Sequence, residues 1–182
     1  IFIDKVPDLE SQPPKFYSLD ELKTIYDADK ECSHWWKLLV NTGMRLSEAY
    51  HLKTADIRQD GIYIVSTSRQ RTKSRKWRKL PLSKGVNLAL QGFDLKDEYL
   101  FPRYRKEAIK RRFSRVCERA GLPKGKRGVH CLRHTFASQL VMSGESLRTV
   151  QMLLGHASIK TTEQYAHLSP DYISDSVSQV DF

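Results

Sequence analysis

Five short clusters carry side chains that could act together on one phosphodiester. They are TGMRLSE around Arg45, a basic stretch holding Lys73, HCLRH from His130, LLGH ending at His156 and EQYAH centred on Tyr165. Breaking a phosphodiester without a metal takes a nucleophile, positive charge on the non-bridging oxygens, a proton acceptor and a proton donor. Arginine suits the second task because its planar fork makes bidentate, charge-assisted bonds to phosphate. Arg45 and Arg133 are the candidates, and only their settings raise them above the default of a surface ion pair. In HCLRH, His130 and Arg133 stand three residues apart and share one helix face. The near-neutral reference pKa of His130 fits proton transfer. His130 and His134 are spaced i, i+4 like a zinc-binding pair. The glutamate of that motif is missing and a cationic Arg133 sits between them, so zinc is set aside. His134 is given a structural, hydrogen-bonding role in the core.

His156 follows Gly155 in a connection between helices, where a turn can thrust an imidazole toward a phosphate to stabilise an oxyanion. The plain alternative is a helix-capping histidine. Tyr165 is the candidate nucleophile. A phenol has a reference pKa near ~10, so it needs cationic neighbours and a base before it attacks. Tyr172, the other C-terminal tyrosine, lacks the preceding T-T-x-x-Y context. From Arg69 to Lys79 there are seven basic residues and no acid: Arg69, Arg71, Lys73, Arg75, Lys76, Arg78 and Lys79. By itself that run reads as a solvated basic hairpin gripping a DNA backbone.

This order of an Arg, a Lys, H-x-x-R, G-H and a Tyr resembles the catalytic domain of the tyrosine recombinases, the phage integrase family, and most of all the integrases of temperate phages. The likeness runs from about Ser18 to Leu168. It implies a site-specific DNA recombinase that cuts and rejoins DNA by metal-free transesterification through a 3′-phosphotyrosine on Tyr165. Arg45, Arg133 and His156 would then stabilise the transition state, and His130 would help remove the tyrosine proton. TKSRKWRKLPL resembles the family's T-K-x-x-x-x-R-x-x-P pattern and points to Lys73 as the donor to the leaving 5′ oxygen, with Lys76 the substitute. An acid stands in the family where Glu48 stands here, three residues after Arg45; it would orient Arg45, or be an ordinary helix-surface ion pair. The partners implied are double-stranded DNA and three further copies of the chain in a synaptic tetramer. Accessory bending or directionality proteins leave no trace in the sequence. No cofactor or metal is expected. Two rival classes are a type IB topoisomerase and a catalytically silent DNA-binding module. GMRLSE and LRHTFA favour the integrases over the first, and the full set of catalytic residue types argues against the second.

The elements that must position these groups are legible in outline. Ser18-Leu-Asp-Glu21 is a capping-box pattern and predicts a helix from Leu19 to about Asp29. A second helix carries Trp35, Trp36, Leu38, Leu39 and Val40 as core and stops before Gly43. A short one begins near Leu46. Ile62–Val65 and Trp77–Leu82 read as strands of a small antiparallel sheet, with Lys73 near the hairpin. Helices then follow over Lys84–Leu90, Arg103–Ala120, His130–Ser143 and Ser146–Leu154, the last stopped by Gly155. Ser158 is expected to cap a helix through Leu168, and Ser169-Pro170 to start another. The fold class is mainly α with one small antiparallel sheet (α+β).

The 182 residues hold 31 Lys and Arg against 21 Asp and Glu, a formal charge of +10, which suggests a polyanionic partner. The basic helix supplies Arg111 and Arg112, and the following run Lys124, Lys126 and Arg127, as DNA-backbone contacts beside Arg71, Arg75 and Lys76. Cys32, Cys117 and Cys131 are odd in number and form no C-x-x-C pair, so neither a disulfide framework nor a zinc ribbon is indicated. A reducing cytoplasmic setting, on the nucleoid when DNA-bound, fits best, and no signal peptide or membrane-length apolar run is present. Residues 1–17 read as a linker, 18–168 as the catalytic domain and 169–182 as a tail packing in cis or in trans. The Pro-bearing start without Met suggests a piece of a longer protein whose missing part binds core-site DNA.

Overall fold

The structure, a computed structural model, describes residues 14–65, 77–101 and 105–170. Helix α1 (Leu19–Ala28) starts at the expected capping box. The Ser18 hydroxyl accepts the Glu21 N–H at 3.1 Å, and the Glu21 carboxylate accepts the Ser18 N–H at 2.8 Å. Helix α2 (Ser33–Thr42) is nearly all core, burying Trp35, Trp36, Leu38, Leu39 and Val40. It ends at Gly43, which is left-handed at φ 60° and lies so close to Phe136 that a Cβ would meet that ring at 2.2 Å. Glycine is required there twice over, for the turn and for the approach of the helix that carries Phe136.

Helix α3 (Leu46–His51) has Arg45 at its N-cap. Three strands follow: β1 (Ile57–Arg58), β2 (Gly61–Val65) and β3 (Trp77–Leu80), antiparallel in the order β1-β2-β3. Ile62 pairs with Leu80 and Ile64 with Arg78. Side chains alternate across a sheet, so Arg78 shares the inward face with buried Ile62, Ile64 and Leu80. Helix α4 (Lys84–Leu90) has the bounds expected from the sequence, and it packs on α2. Helix α5 (Lys106–Arg119) sends Ile109, Phe113, Val116 and Cys117 inward at helical spacing.

Helices α6 (His130–Met142) and α7 (Leu147–Leu154) come next, α7 capped by Ser146 and closed by a left-handed Gly155 at φ 66°. The single helix expected from Ser158 to Leu168 is instead two pieces. Helix α8 (Lys160–Glu163) is one turn long, and a separate 3₁₀ turn spans Ala166–Leu168. Tyr165 stands in the break at φ −99°, ψ −5°. Thr161 and Thr162 are weak helix formers, and burying Thr162 and the Tyr165 ring together draws the chain out of helical register. The helix expected from Ser169-Pro170 lies mostly outside the described residues. The basic helix begins at Lys106 rather than Arg103, and residues 102–104 are also outside them.

Two hydrophobic clusters hold this together. The larger joins α1, α2, α4, α5 and the sheet around Trp36, Phe101 and Phe113. The smaller is built from Ala137, Val141, Val150, Leu154 and Tyr165, with Phe136, Leu140 and Leu168 against it. Packing begins upstream of the α1 cap: Tyr17 is fully buried, and its N–H donates to the Thr135 hydroxyl at 2.9 Å. The three cysteines are buried, separate thiols.

Candidate active site

Helix α6 presents His130, Arg133 and His134 on successive steps of one surface. Arg133 is only 2% exposed. Its guanidinium donates to the Gly43 carbonyl at 2.7 Å and to the Leu154 carbonyl at 2.8 Å. Those carbonyls close α2 and α7, so one cation satisfies two helix C-termini and fixes them against α6. Burial, then the charge of Arg45, pulls its pKa down to about 10, which leaves it cationic at neutral pH.

Arg45 is half-exposed, and its Nη1 donates to Glu48 at 3.2 Å. Glu48 is buried and accepts four bonds in all. The others come from the Arg45 N–H at 2.7 Å and from Arg78 Nη1 and Nη2 at 2.9 and 2.8 Å. Burial alone would raise this carboxyl, but the hydrogen bonds and charge of Arg78, then Arg45, outweigh it and hold it below the usual carboxylate range. Arg78 Nε also donates to the Leu153 carbonyl at 2.8 Å, and its Nη1 lies 2.8 Å from where a Cβ on Gly155 would stand. Arg78 thus ties the Arg45 helix, the sheet and the turn before His156 into one unit. In the sequence Arg78 is one of seven basic residues and the R of the T-K-x-x-x-x-R-x-x-P pattern, but its inward role is not stated there; the alternation Trp77 out, Arg78 in, Lys79 out, Leu80 in is the signal.

His156 Nδ1 faces the buried Thr162 hydroxyl at 2.9 Å, and its own N–H donates to the Gln151 carbonyl at 3.1 Å. Burial, reinforced by Arg133, Arg45, His130 and Arg78, pulls its pKa down to about 4, so it is a neutral imidazole. Tyr165 is 1% exposed, with its ring in the smaller cluster. Its phenol oxygen lies 2.7 Å from Nδ1 of His134. Burial pushes the phenol pKa up to about 12 against the lowering charge of Arg133. His130 and His134 meet edge to face, with ring centroids 4.7 Å apart. His134 is therefore hydrogen-bonded, as the sequence suggested, but its partner is the phenol itself.

Beside this group opens a cavity of about 570 Å³, lined by His130 and Arg133 together with Lys110, Arg111, Ser114 and Arg127. Arg111 and Arg127 among the expected backbone contacts thus stand next to the site. Arg112 points the other way, to Asp29 at 2.6 Å and Glu31 at 2.8 Å, and staples α5 to the connection between α1 and α2. Lys126 pairs with Glu21 at 2.8 Å, and Lys124 is exposed nearby. Lys73, Arg71, Arg75 and Lys76 lie outside the described residues. Asp29, Glu31 and Cys32 are the one group among the described residues with metal-ligand proximity, and Arg112 and Trp36 already occupy Asp29.

The domain is mainly helical, and it sets cationic and imidazole groups and a buried tyrosine beside a basic cavity, an arrangement suited to an anionic ligand. The chain belongs to the phage integrase family, which it matches over residues 15–171. It is 36% identical over 143 residues to the integrase of Escherichia phage P2, a match covering 78% of this chain and 39% of that protein. The catalytic domain of bacteriophage HP1 integrase superposes with a TM-score of 0.70 at 27% identity, covering 91% of this chain and 94% of that one. The XerH site-specific recombinase, bound to a palindromic difH substrate in a post-cleavage complex, gives 0.70 at 25% identity over 92% of this chain and 54% of that one. The chain spans half or less of the length of the curated relatives it matches.

Proposed function

We propose that this chain is the catalytic part of a site-specific DNA recombinase of the integrase type, acting on double-stranded DNA without a metal or nucleotide cofactor. The observation that carries the reading is the convergence of Arg45, Arg133, His130 and His156 on one another, with a sequestered Tyr165 within reach of the Arg133 charge. Phosphate oxygens would take the guanidinium donors of Arg45 and the free donors of Arg133, with His156 adding a hydrogen bond through Nε2. The Tyr165 oxygen attacks phosphorus in line, the bond to the 5′ oxygen breaks, and a 3′-phosphotyrosyl link forms. A 5′-hydroxyl from a partner duplex later displaces the tyrosine. Lys73 is the proposed donor to the leaving oxygen, with Lys76 its substitute. Arg111, Arg127 and Lys110 supply backbone contacts that position the duplex. The described helices include none long and apolar enough to cross a membrane.

The wider assignments rest on the same reading. Residues 18–168 form the catalytic body, and the tail that follows lies mostly outside the described residues. The working assembly is a tetramer on two duplexes in the cytoplasm, at the nucleoid when DNA is bound.

The test is covalent trapping on nicked suicide duplexes with a randomised core, run in excess chelator and read by mass spectrometry. The expected result is a DNA adduct on Tyr165, absent in Tyr165→Phe and undiminished by chelator. An adduct on another residue overturns the site, and activity that needs added magnesium overturns the metal-free chemistry. Relaxation of plasmid without recombinant products would move the protein to the type IB topoisomerases.

A further inference from the structure

We propose that His134, rather than His130, receives the Tyr165 proton as the phenol oxygen attacks phosphorus. The inference rests on the function proposed above and adds a catalytic residue to it.

The Tyr165 ring is buried in an apolar cluster, so a side chain in contact with the phenol is the direct route for its proton. The described contact is Nδ1 of His134 at 2.7 Å, within proton-transfer distance. His134 does not reach the phenol by chance of rotamer. It is one residue beyond Arg133, whose two bonds to the ends of α2 and α7 fix this part of α6. His130 stands four residues earlier on the same face, edge-on to His134 and at the wall of the basic cavity. His134 therefore touches both the phenol and His130, which stands at the wall of the basic cavity.

The resting electrostatics keep this acceptor idle. Burial, then the charges of His130 and Arg133, pulls His134 down to about 4, while burial holds the phenol at about 12. The proton stays on oxygen, and Nδ1 is an open acceptor with Nε2 carrying the hydrogen. A phosphate seated on Arg133 and Arg45 brings negative charge against the cations that depress His134, and so strengthens it as a base only when substrate is present. The balance is then complete. The bond from Oη to phosphorus forms, the bond to the 5′ oxygen breaks, and the phenol proton passes to Nδ1. The 5′ oxygen takes a separate proton, from Lys73 in the proposed scheme. On resealing, the imidazolium returns its proton to the departing phenolate.

The discriminating variant is His134→Asn, whose amide can occupy the Nδ1 position and hydrogen-bond the phenol but cannot take a proton. Full-length protein and the same suicide duplexes are used, in single turnover from about pH 6 to about pH 9. The expected result is a rate about 100-fold or more below wild type that climbs with pH as hydroxide takes over, partly restored by 3-fluorotyrosine at position 165. A His134→Asn protein cleaving within about threefold of wild type, or a flat pH profile, overturns the proposal. A wild type that yields no Tyr165 adduct defeats the recombinase reading instead, which keeps the two failures apart. Nitrogen-15 NMR of the DNA-free protein gives a check independent of activity and of how the variant folds. It should show an unprotonated, hydrogen-bonded Nδ1 on His134 that shifts in Tyr165→Phe. A protonated Nδ1 there overturns the assignment.

Discussion

At the scale of single residues, Glu48 and Arg78 govern how Arg45, the proposed phosphate ligand, is held. Glu48 is a buried carboxylate whose charge is met on one side by the fork of Arg78 and on the other by Arg45. Removing one member of such a set costs far more than the set is worth, because the remaining charge stays buried. Arg78→Met should lower stability by about 3 kcal/mol and loosen both Arg45 and the turn before His156. Urea denaturation gives the first number and suicide-substrate cleavage the second. The mechanism predicts strong coupling: in a Glu48→Gln background the same Arg78→Met change should cost less than half as much, since no buried anion is left behind. Additive costs would mean that Arg78 acts through its bond to Leu153 alone. This residue also marks a limit of sequence reading. The candidate site residues were legible from motif and order, but the basic run by itself does not mark Arg78 as facing inward. The separation of 31 positions from His134 to Tyr165 likewise hid their contact, because nothing local encodes it.

Among the elements, the helix ends were the most legible feature and also the ones that build the site. Ser18 with Glu21, Ser146, Gly43 and Gly155 stand at caps where the sequence placed them, since capping chemistry is local. The misread segment, Ser158–Leu168, is one where tertiary burial of Thr162 and Tyr165 beats local preference. Strand β1 was missed because two residues carry no periodicity. Gly43 joins cap to site, for its carbonyl is one of the two anchors of Arg133. Gly43→Ala would put a methyl on the Phe136 ring and a Cβ on a left-handed residue. The cost should be about 2–4 kcal/mol, from backbone strain and overpacking together. Cleavage should fall as well, since Arg133 loses its fixed seat. A double variant with Phe136→Leu should recover part of the stability by making room, yet keep the backbone part of the penalty. Full recovery would place the whole cost in the ring contact.

Across the whole molecule, neutral half-buried histidines make stability depend on pH in a definite window. His134 and His156 are both held at about 4 in the folded chain against an ordinary 6.5. Arg133 on α6 bears on both rings, Arg45 at the start of α3 and Arg78 on β3 bear on His156, and His130, itself held low by burial, opposes the charging of both. The unfolded chain therefore binds protons that the folded chain refuses as pH falls below about 6.5. Stability contributed by the neutral rings is complete above that value and drains away down to about pH 4, below which both states are protonated. Glu48 adds its own loss only lower, because its carboxyl is held under the usual range. Urea midpoints should thus drop between about pH 7 and about pH 4.5, before most carboxylates titrate. The double variant His134→Asn, His156→Asn should be less stable at neutral pH, having lost two fitted rings, but should show a distinctly shallower decline. An equal slope would mean that the imidazoles are already charged in the folded protein. In that case the neutral Nδ1 acceptor on which the phenol's proton transfer depends would not exist at rest.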